Sequence, residues 1–303
     1  MRIATYLDDT GDSHAAFLFG DELVAVRDAA MRWNADLDPA CARGLLELGR
    51  DDVNKLHEAA ARIASGGGAV ALESTRLAPP VLSPEKLLFV GLNYRSHVAE
   101  ADGHLAKADR AVEAAKVVPL FGKFSNALVA HGQPIRLPEA SKQVDWEGEL
   151  ALVIGTECKN VPVEEALGVL AGLTVVNDVS ARDMQLATSQ WYGGKGLDTF
   201  APCGPAIVSL DEVGADPDDL RVVTRVNGEV MQDFRTADMV MNIESLIAYV
   251  SSLVVLRPGD VIATGTGSGI GFLREPQRFL TDGDVVTVEV ENVGLLSNPV
   301  VNG

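Results

Sequence analysis

Alternating apolar and polar residues, the pattern of β-strands, recur along this chain. The strongest hairpin signal is Asn227-Gly228, which separates alternating stretches at residues 222–226 and 229–233. A second hairpin is predicted at residues 17–24, with its turn at Gly20-Asp21. Further strands are predicted at residues 2–7, 86–91, 260–264 and 285–290.

Apolar residues three and four positions apart, as on one face of a helix, are confined to a few segments. These segments are residues 39–64, 162–171 and 242–256. Gly172 follows the second segment, and Pro258 follows the third. Because strands outnumber these helices and do not alternate regularly with them, we predict an α+β class with mixed or antiparallel sheets.

Glycines and prolines indicate a domain boundary. Three glycines at residues 66–68 end the first helical segment, and prolines punctuate residues 79–84. The chain has 303 residues, 47% of them hydrophobic, which is ample for a large core and for more than one domain. We therefore predict a small N-terminal α/β domain at residues 1–78 and a larger domain at residues 79–303.

Residues 145–154 begin with acidic side chains and continue as an apolar strand. Residues two apart share a face of a strand, so Asp145, Glu147 and Glu149 would point to one side and the apolar residues at 150, 152 and 154 to the other. Carboxylates in a row repel one another unless a cation or water relieves the repulsion.

A second apolar run, residues 175–179, carries Asp178. Together with Glu147 and Glu149, this carboxylate could form a site for a hard cation, because oxygen ligands suit Mg²⁺. The alternative, from these residues alone, is that both glutamates lie on an exposed strand face.

Three further positions are candidates for chemistry. His97 and Glu100 lie three residues apart, so on a helix they would share a face, and the carboxylate could orient the imidazole as a general base. The alternative is an ordinary surface pair. Lys123 follows an apolar run and is expected to be exposed, whereas Lys195 lies among glycines in a predicted loop, which could approach a ligand or simply turn.

The glycine-rich segment at residues 265–271 does not fit a nucleotide-binding motif. It lacks the spacing of the dinucleotide fingerprint, and no Gly-Lys-Ser/Thr follows. A backbone that passes close to a ligand or turns sharply explains these glycines better.

Net charge bears on the classes of partner, and cysteine content bears on the cellular compartment. The formal net charge is −18, so nucleic acid and anionic membrane surfaces are disfavoured. The three cysteines are far apart, which fits a reducing cytoplasm rather than a disulfide framework. No signal peptide or membrane-spanning run is evident, and we expect a cytoplasmic location.

Several ordered motifs together resemble the fumarylacetoacetate hydrolase family, in particular its bacterial isomerase and acylpyruvase-like branch. The resemblance spans most of the chain, from about residue 86 to residue 300. The motifs are residues 91–97, 145–150, 177–185, 194–195, 227–228, 236–239, 258–260 and 264–266.

The resemblance implies a mixed β-roll of the family's C-terminal type, a homodimer, and Mg²⁺ or Mn²⁺ as cofactor. It implies that Glu147, Glu149 and Asp178 bind the metal ion. It also implies a His97–Glu100 dyad that activates water or moves a proton, and a Lys195 that polarises a substrate oxygen. The implied substrate-binding residues are Arg182, Gln185, Thr266 and, in second rank, Lys123.

The resemblance implies a small 2-oxo acid substrate, in a setting such as aromatic-compound catabolism. Our first hypothesis is a metal-dependent hydrolase that cleaves a C–C bond in an acylpyruvate or related 1,3-diketo acid. Isomerisation or decarboxylation of 2-hydroxymuconate-type or 2-oxo diacids on the same site is the alternative. A non-catalytic metal- or metabolite-binding homologue is an alternative of another class.

Three departures from the family pattern bear on the substrate. Gly267 stands where the family usually has proline, and Gly196 stands where it usually has serine. The segment between Glu100 and Lys123 is longer than in many relatives. Residues 101–118 within it are rich in alanine and in charged residues, so we expect a mobile cover over the pocket.

Overall fold

The computed structural model describes residues 1–32, 36–101 and 118–303. Its strands are β1 (Arg2–Leu7), β2 (Ser13–Phe19), β3 (Glu22–Ala25), β4 (Val70–Ala71), β5 (Arg76–Ala78), β6 (Leu87–Val90), β7 (Leu120–Lys123), β8 (Leu128–Val129), β9 (Ile135–Leu137), β10 (Val144–Asp145), β11 (Gly148–Ile154), β12 (Leu170–Asn177), β13 (Ser180–Ala181), β14 (Ala201–Val208), β15 (Arg221–Val226), β16 (Glu229–Arg235), β17 (Val261–Ala263), β18 (Val285–Val290) and β19 (Gly294–Asn302).

The helices are α1 (Val26–Met31), α2 (Ala42–Leu46), α3 (Arg50–Ser65), α4 (Arg95–Ala101), α5 (Arg182–Gln185), α6 (Tyr192–Lys195), α7 (Leu210–Val213) and α8 (Ile243–Leu253). Short 3₁₀ helices occupy Leu72–Ser74, Ser125–Ala127, Val163–Val169, Pro217–Asp219, Thr236–Asp238 and Gly271–Leu273. In the described part of the chain, no helix is both long enough and apolar enough to cross a membrane.

Two mixed sheets dominate the architecture. A 12-stranded sheet follows the order β4-β3-β2-β1-β14-β12-β11-β17-β6-β7, with β5 paired to β1 and β8 paired to β14. A 5-stranded sheet follows the order β16-β15-β18-β19-β9, and β10 pairs with β13. Most pairs are antiparallel, but β17 with β6, β14 with β8 and β19 with β9 are parallel. The predicted α+β class with mixed sheets is confirmed.

Both predicted hairpins are confirmed, because their turn residues can adopt the backbone conformation that a tight turn requires. Asn227 has φ 53° and Gly228 has φ 83°, so both central residues of the β15–β16 turn are left-handed, as a type I′ turn needs. Phe19 pairs with Glu22 across the turn between β2 and β3, with Gly20 at φ 61°. The third predicted helix forms as α8, where Asn242 caps the N-terminus by accepting from the Ser245 N–H.

The second predicted helix, at residues 162–171, is wrong in type and length. Val163–Val169 is a 3₁₀ helix, and β12 begins at Leu170. Gly172 therefore lies inside a strand instead of ending a helix. A Cβ there would lie 2.2 Å from the Val208 carbonyl oxygen of β14, so close strand packing explains this glycine.

Both faces of β11 are buried, and its side chains alternate between two hydrophobic clusters. Leu150, Leu152 and Ile154 belong to one cluster, whereas Ala151 and Val153 belong to the other. The predicted alternation is confirmed. The alternative, that Glu147 and Glu149 lie on an exposed strand face, is wrong, because both side chains are buried and β11 is an inner strand of a sheet covered on both sides.

The first 78 residues join the large sheet through β1. Arg2 and Ile3 pair with Val208 and Ile207 of β14, in antiparallel register. The division into domains at residues 1–78 and 79–303 stays a prediction. Of the charge-rich segment expected to cover the pocket, residues 102–117 lie outside the described residues.

Candidate active site

The pairing of β11 with β12 brings together the three predicted carboxylates. Gly148 pairs with Asn177, and the Asp178 N–H donates to the Glu147 carbonyl at 2.8 Å. Each of Glu147, Glu149 and Asp178 offers one oxygen within 4.8 Å of the others, and all three side chains are buried. The adjacent ends of two antiparallel strands therefore bring three carboxylates together.

Cationic side chains surround this carboxylate group. The Lys195 ammonium lies 2.9 Å from Glu147 Oε2 and 2.6 Å from Asp178 Oδ2. Lys123 Nζ lies 2.5 Å from Asp178 Oδ1. Arg182 Nη1 lies 2.6 Å from Glu147 Oε1.

The expectation that Lys123 is exposed is wrong, because its side chain is fully buried against Asp178 at the end of β7. Lys195 does not lie in a loop; it ends α6.

The surroundings shift the pKa values of the glutamates in opposite directions. Burial, with the carboxylates of Asp178 and Glu147 nearby, raises the pKa of Glu149 well above its ordinary value. Burial also acts to raise the pKa of Glu147, but Lys195 and Arg182 outweigh it and hold that pKa below its usual range. Burial lowers the pKa of Lys123 to about 8.

The donor set fits a hard divalent cation. Three carboxylate oxygens are ligands that Mg²⁺ and Mn²⁺ accept, and such an ion would offset both the burial and the repulsion that raise the pKa of Glu149. With Asp145 included, four carboxylates and three cations (Lys123, Arg182 and Lys195) leave a formal charge of −1. A divalent ion would change this to +1, which complements a carboxylate substrate.

The carboxylate group opens into a cavity of about 270 Å³. Of the predicted site residues, those that line it are His97, Glu147, Asp178, Arg182, Gln185, Lys195 and Thr266. Glu149, Lys123 and Glu100 are not among the lining residues: Glu149 and Lys123 lie close to Asp178, and Glu100 lies beside His97. All predicted site residues therefore lie in the cavity wall or next to a residue of that wall.

His97 and Glu100 both lie on α4, with 3.7 Å between His97 Nδ1 and Glu100 Oε2. That separation is longer than a hydrogen bond. The Glu100 carboxylate instead accepts from the Gly269 N–H at 3.0 Å. His97 Nδ1 is buried and has no hydrogen-bond partner in the described ranges. The predicted dyad is adjacent but not hydrogen-bonded.

The start of α4 is fixed by the motif at residues 236–239. Asp238 Oδ2 accepts from the Ser96 N–H at 2.8 Å, and the Met239 carbonyl accepts from Arg95 Nη1 at 2.7 Å. These contacts set the position of His97 in the same first turn of α4. Sequence reasoning missed this role, since the spacing of two distant segments carries no local signal.

The glycine-rich segment at residues 265–271, here called the glycine loop, binds carboxylates through its backbone. Its amides donate to Glu149 from Gly265 at 2.8 Å, to Glu100 from Gly269, and to Asp145 from Gly271 at 2.7 Å.

At Gly269 a Cβ would lie 2.2 Å from the Met231 carbonyl oxygen, so close packing against the protein's own backbone explains this glycine. The close approach to a ligand stays a prediction. Thr266 Oγ1 donates to the Gly148 carbonyl and accepts from Gln232 Nε2, both at 2.8 Å. Its hydroxyl therefore anchors the loop to β11.

Asp145 does not join Glu147 and Glu149, contrary to the strand alternation. It lies in β10, which pairs with β13 and not with the large sheet. Its Oδ2 accepts from Arg182 Nε at 2.9 Å. Three aromatic residues of the cavity wall, Phe121, Trp191 and Phe272, were also missed, since they come from unconnected elements.

The family model "Fumarylacetoacetate (FAA) hydrolase C-terminal" matches residues 86–301. The chain is 41% identical over 265 residues to the mitochondrial oxaloacetate tautomerase fahd2 of Xenopus laevis, covering 87% of this chain and 79% of that relative.

Two solved structures match the whole fold. One is 2-hydroxyhepta-2,4-diene-1,7-dioate isomerase from Mycobacterium marinum, with 31% identity, TM-score 0.72 and coverage of 100% of this chain and 98% of that chain. The other is maleylpyruvate hydrolase from Sphingobium sp. SYK-6 in complex with manganese (II) ion and pyruvate, with 29% identity, TM-score 0.78 and coverage of 100% of both chains. The predicted mixed β fold of this type is confirmed, and the chain belongs to the fumarylacetoacetate hydrolase family.

Proposed function

We propose that this protein catalyses proton transfer beside the keto group of a 2-oxo acid, interconverting its keto and enol forms. The observation that carries this proposal is one small cavity lined by Glu147, Asp178, the Lys195 and Arg182 cations and the His97 imidazole, with an oxygen of Glu149 within 4.8 Å of the other two carboxylates. The name of the frog relative, an oxaloacetate tautomerase, supports this class of reaction.

Glu147, Glu149 and Asp178 would hold Mg²⁺ or Mn²⁺. When bound, such an ion supplies Lewis-acid stabilisation for negative charge on the oxygens of the 2-oxo acid. A solved relative that contains manganese and pyruvate supports this cofactor class.

Lys195 would stabilise charge on the substrate, and His97 would transfer the proton. Lys195 lines the cavity with its ammonium fixed between two carboxylates, so it can stabilise charge that develops on the keto oxygen. His97 can take a proton from the carbon beside the keto group, which leaves an enolate, and deliver that proton to the enolate oxygen to give the enol; ketonisation is the reverse. Glu100, 3.7 Å from His97, would stabilise the imidazolium that forms in between.

C–C bond hydrolysis of an acylpyruvate is the second candidate. The maleylpyruvate hydrolase relative favours it. Water activated by His97 and Glu100 would add to the distal carbonyl, and the electron pair of the broken bond would pass to the enolate of pyruvate. Isomerisation or decarboxylation of diacids would use the same stabilised enolate.

Parallel assays separate these reactions. We would incubate the protein with Mn²⁺ and enol-oxaloacetate, acetylpyruvate or keto-oxaloacetate, and follow ketonisation, cleavage and decarboxylation. Ketonisation should be accelerated most over the uncatalysed rate. His97→Ala should lower it roughly 10²–10⁴-fold and leave Mn²⁺ affinity unchanged. Cleavage of acetylpyruvate without ketonisation of enol-oxaloacetate would contradict the proposal and support C–C bond hydrolysis instead.

A Glu149→Ala variant sets the baseline for all three assays. If the wild-type protein exceeds that baseline in none of them, the protein is a non-catalytic binder. The homodimer expected from the family stays a prediction, which light scattering of the purified protein tests.

A further inference from the structure

Strand β16, at one edge of the five-stranded sheet, packs directly against the glycine loop. A Cβ at Gly269 would lie 2.2 Å from the Met231 carbonyl oxygen, and a Cβ at Gly267 would lie 2.4 Å from the Phe234 ring. Met231 and Phe234 both belong to β16. Gln232 lies between them in the strand, and its exposed fraction is 1%. The strand and the loop therefore meet with Gln232 enclosed at their contact.

The Gln232 side chain uses both ends of its amide. Its Oε1 accepts from the Gly148 N–H at 3.0 Å, and its Nε2 donates to Thr266 Oγ1 at 2.8 Å and to the Gly267 carbonyl at 3.1 Å. A side-chain amide has two N–H donors, and both are used here. Reversing the amide would set its oxygen against the Gly267 carbonyl and its NH₂ group against the Gly148 N–H, so these hydrogen bonds fix one orientation. One buried side chain thus joins β11 to the glycine loop.

Both segments that Gln232 joins also hold Glu149. Gly148 directly precedes Glu149 in β11 and directly follows Glu147. Gly265, at the start of the glycine loop, donates its N–H to Glu149 Oε2 at 2.8 Å. The backbone of Glu149 and its carboxylate are therefore each attached to a segment that Gln232 contacts.

Both polar backbone groups of Gly148 lead to Gln232. The N–H donates to Gln232 directly, and the carbonyl accepts from Thr266, whose hydroxyl in turn accepts from Gln232. No side chain would fit at Gly148, because a Cβ there would lie 2.1 Å from Thr224 Oγ1 and 2.9 Å from Val288 Cγ1. Thr224 and Val288 belong to β15 and β18 of the five-stranded sheet. Directional hydrogen bonds to Gln232 therefore orient the backbone between the two glutamates relative to that sheet.

We propose that Gln232 is a positioning residue of the metal site, which holds Glu149 and the glycine loop in a fixed relation and thereby strengthens the binding of a divalent ion. This inference rests on the proposed function in one respect: Glu147, Glu149 and Asp178 are taken to bind that ion. Groups that hydrogen-bond around a set of metal ligands keep the ligands in place, and their loss commonly weakens metal binding roughly 10–100-fold.

Calorimetric titration of Mn²⁺ into two variants tests the proposal. Gln232→Met fills nearly the same space without an amide, so the Gly148 N–H and the Gly267 carbonyl lose their partner. Gln232→Asn keeps the amide but is one carbon shorter, so it cannot reach both groups at once, and it carries the test if the first variant does not fold. At a temperature where circular dichroism shows each protein folded, both variants should bind Mn²⁺ at least about tenfold more weakly than the wild-type protein.

Asn298→Leu is the matched control for lost stability. Asn298 is also a buried amide of the five-stranded sheet, and its Nδ2 donates to the Ala130 and Gln133 carbonyls, both at 2.8 Å. None of these three residues lines the cavity. This variant should melt at a lower temperature but bind Mn²⁺ within about twofold of the wild-type affinity, since sites without shared partners act independently. Wild-type affinity in either folded Gln232 variant, or an equal loss of affinity in Asn298→Leu, would overturn the inference.

These outcomes are separable from those of the proposed function. Mn²⁺ binding that is strong in the wild-type protein and weak in the Gln232 variants, without ketonisation of any 2-oxo acid, would defeat the proposed reaction and leave the inference standing. Ketonisation with equal Mn²⁺ affinity in the wild-type protein and the variants would do the reverse.

Discussion

The Gly271 N–H donates a 2.7 Å hydrogen bond to Oδ1 of Asp145, and this contact ties the glycine loop to the acidic segment before β11. Asp145 is fully buried and also accepts from the Phe272 N–H at 3.0 Å and from Arg182. Arg182 in turn contacts Glu147. One buried carboxylate thus links the loop that holds Glu149 and Glu100 to the cations of the site.

Asp145→Asn should destabilise the protein. Both Asp145 oxygens accept hydrogen bonds, so an amide would turn its NH₂ group toward N–H donors, and Arg182 would lose one of the carboxylates that it contacts. We expect the free energy of unfolding in urea to fall by about 2–4 kcal/mol. Glu139→Gln, at an exposed position, should change it by less than about 0.5 kcal/mol. Equal effects of the two substitutions would contradict this account of Asp145.

Gly269 and Gly283 form a matched pair of glycines. Both have positive φ, 101° and 90°, but a Cβ at Gly269 would lie 2.2 Å from the Met231 carbonyl oxygen, whereas a Cβ at Gly283 would meet nothing within 4 Å. Gly283→Ala should cost about 1–2 kcal/mol of unfolding free energy, from backbone strain alone. Gly269→Ala should cost at least about 2 kcal/mol more, because the backbones must shift. Equal costs by urea denaturation would show that the loop is not tightly packed there.

Metal binding should stabilise the protein more strongly as the pH rises. Because burial and two neighbouring carboxylates raise the pKa of Glu149, the metal-free folded protein binds a proton there more tightly than the unfolded chain does. The stability from that proton is present at low pH and is lost as the pH rises through the raised pKa. A divalent ion needs the ionised carboxylate, so it replaces the proton.

The gain in melting temperature on adding Mn²⁺ should therefore grow from about pH 5 to about pH 7.5. Glu149→Gln has no proton to release and should show no such growth. A constant gain across this range in the wild-type protein would rule out proton competition at Glu149.

The three clustered carboxylates could be predicted from the sequence because two local patterns indicate them. Alternation in one strand and an acid after a second apolar run predicted Glu147, Glu149 and Asp178, and antiparallel pairing brought them together. The same alternation failed for Asp145. The chain changes sheets between β10 and β11, so the period of two does not extend across Trp146 and Glu147.

The burial of Lys123 could not be predicted from its own neighbourhood. A lysine after a short apolar run is usually exposed, and its partner Asp178 follows the end of β12, far away in sequence. The aromatic side chains of the cavity wall could not be predicted for the same reason, since Phe121, Trp191 and Phe272 come from different elements. Contacts between distant segments are set by the packed fold and leave no periodic pattern.

The central claim is that Glu147, Glu149 and Asp178 form a single divalent-metal site. Calorimetric titration of Mn²⁺ into the metal-free protein tests it most directly, with Glu149→Gln and Asp178→Asn as variants and Glu139→Gln as the control. We predict one ion per chain in the wild-type protein and the control, and at least about 100-fold weaker binding in both variants. Wild-type affinity and stoichiometry in either variant, or no binding by the wild-type protein, would contradict the account.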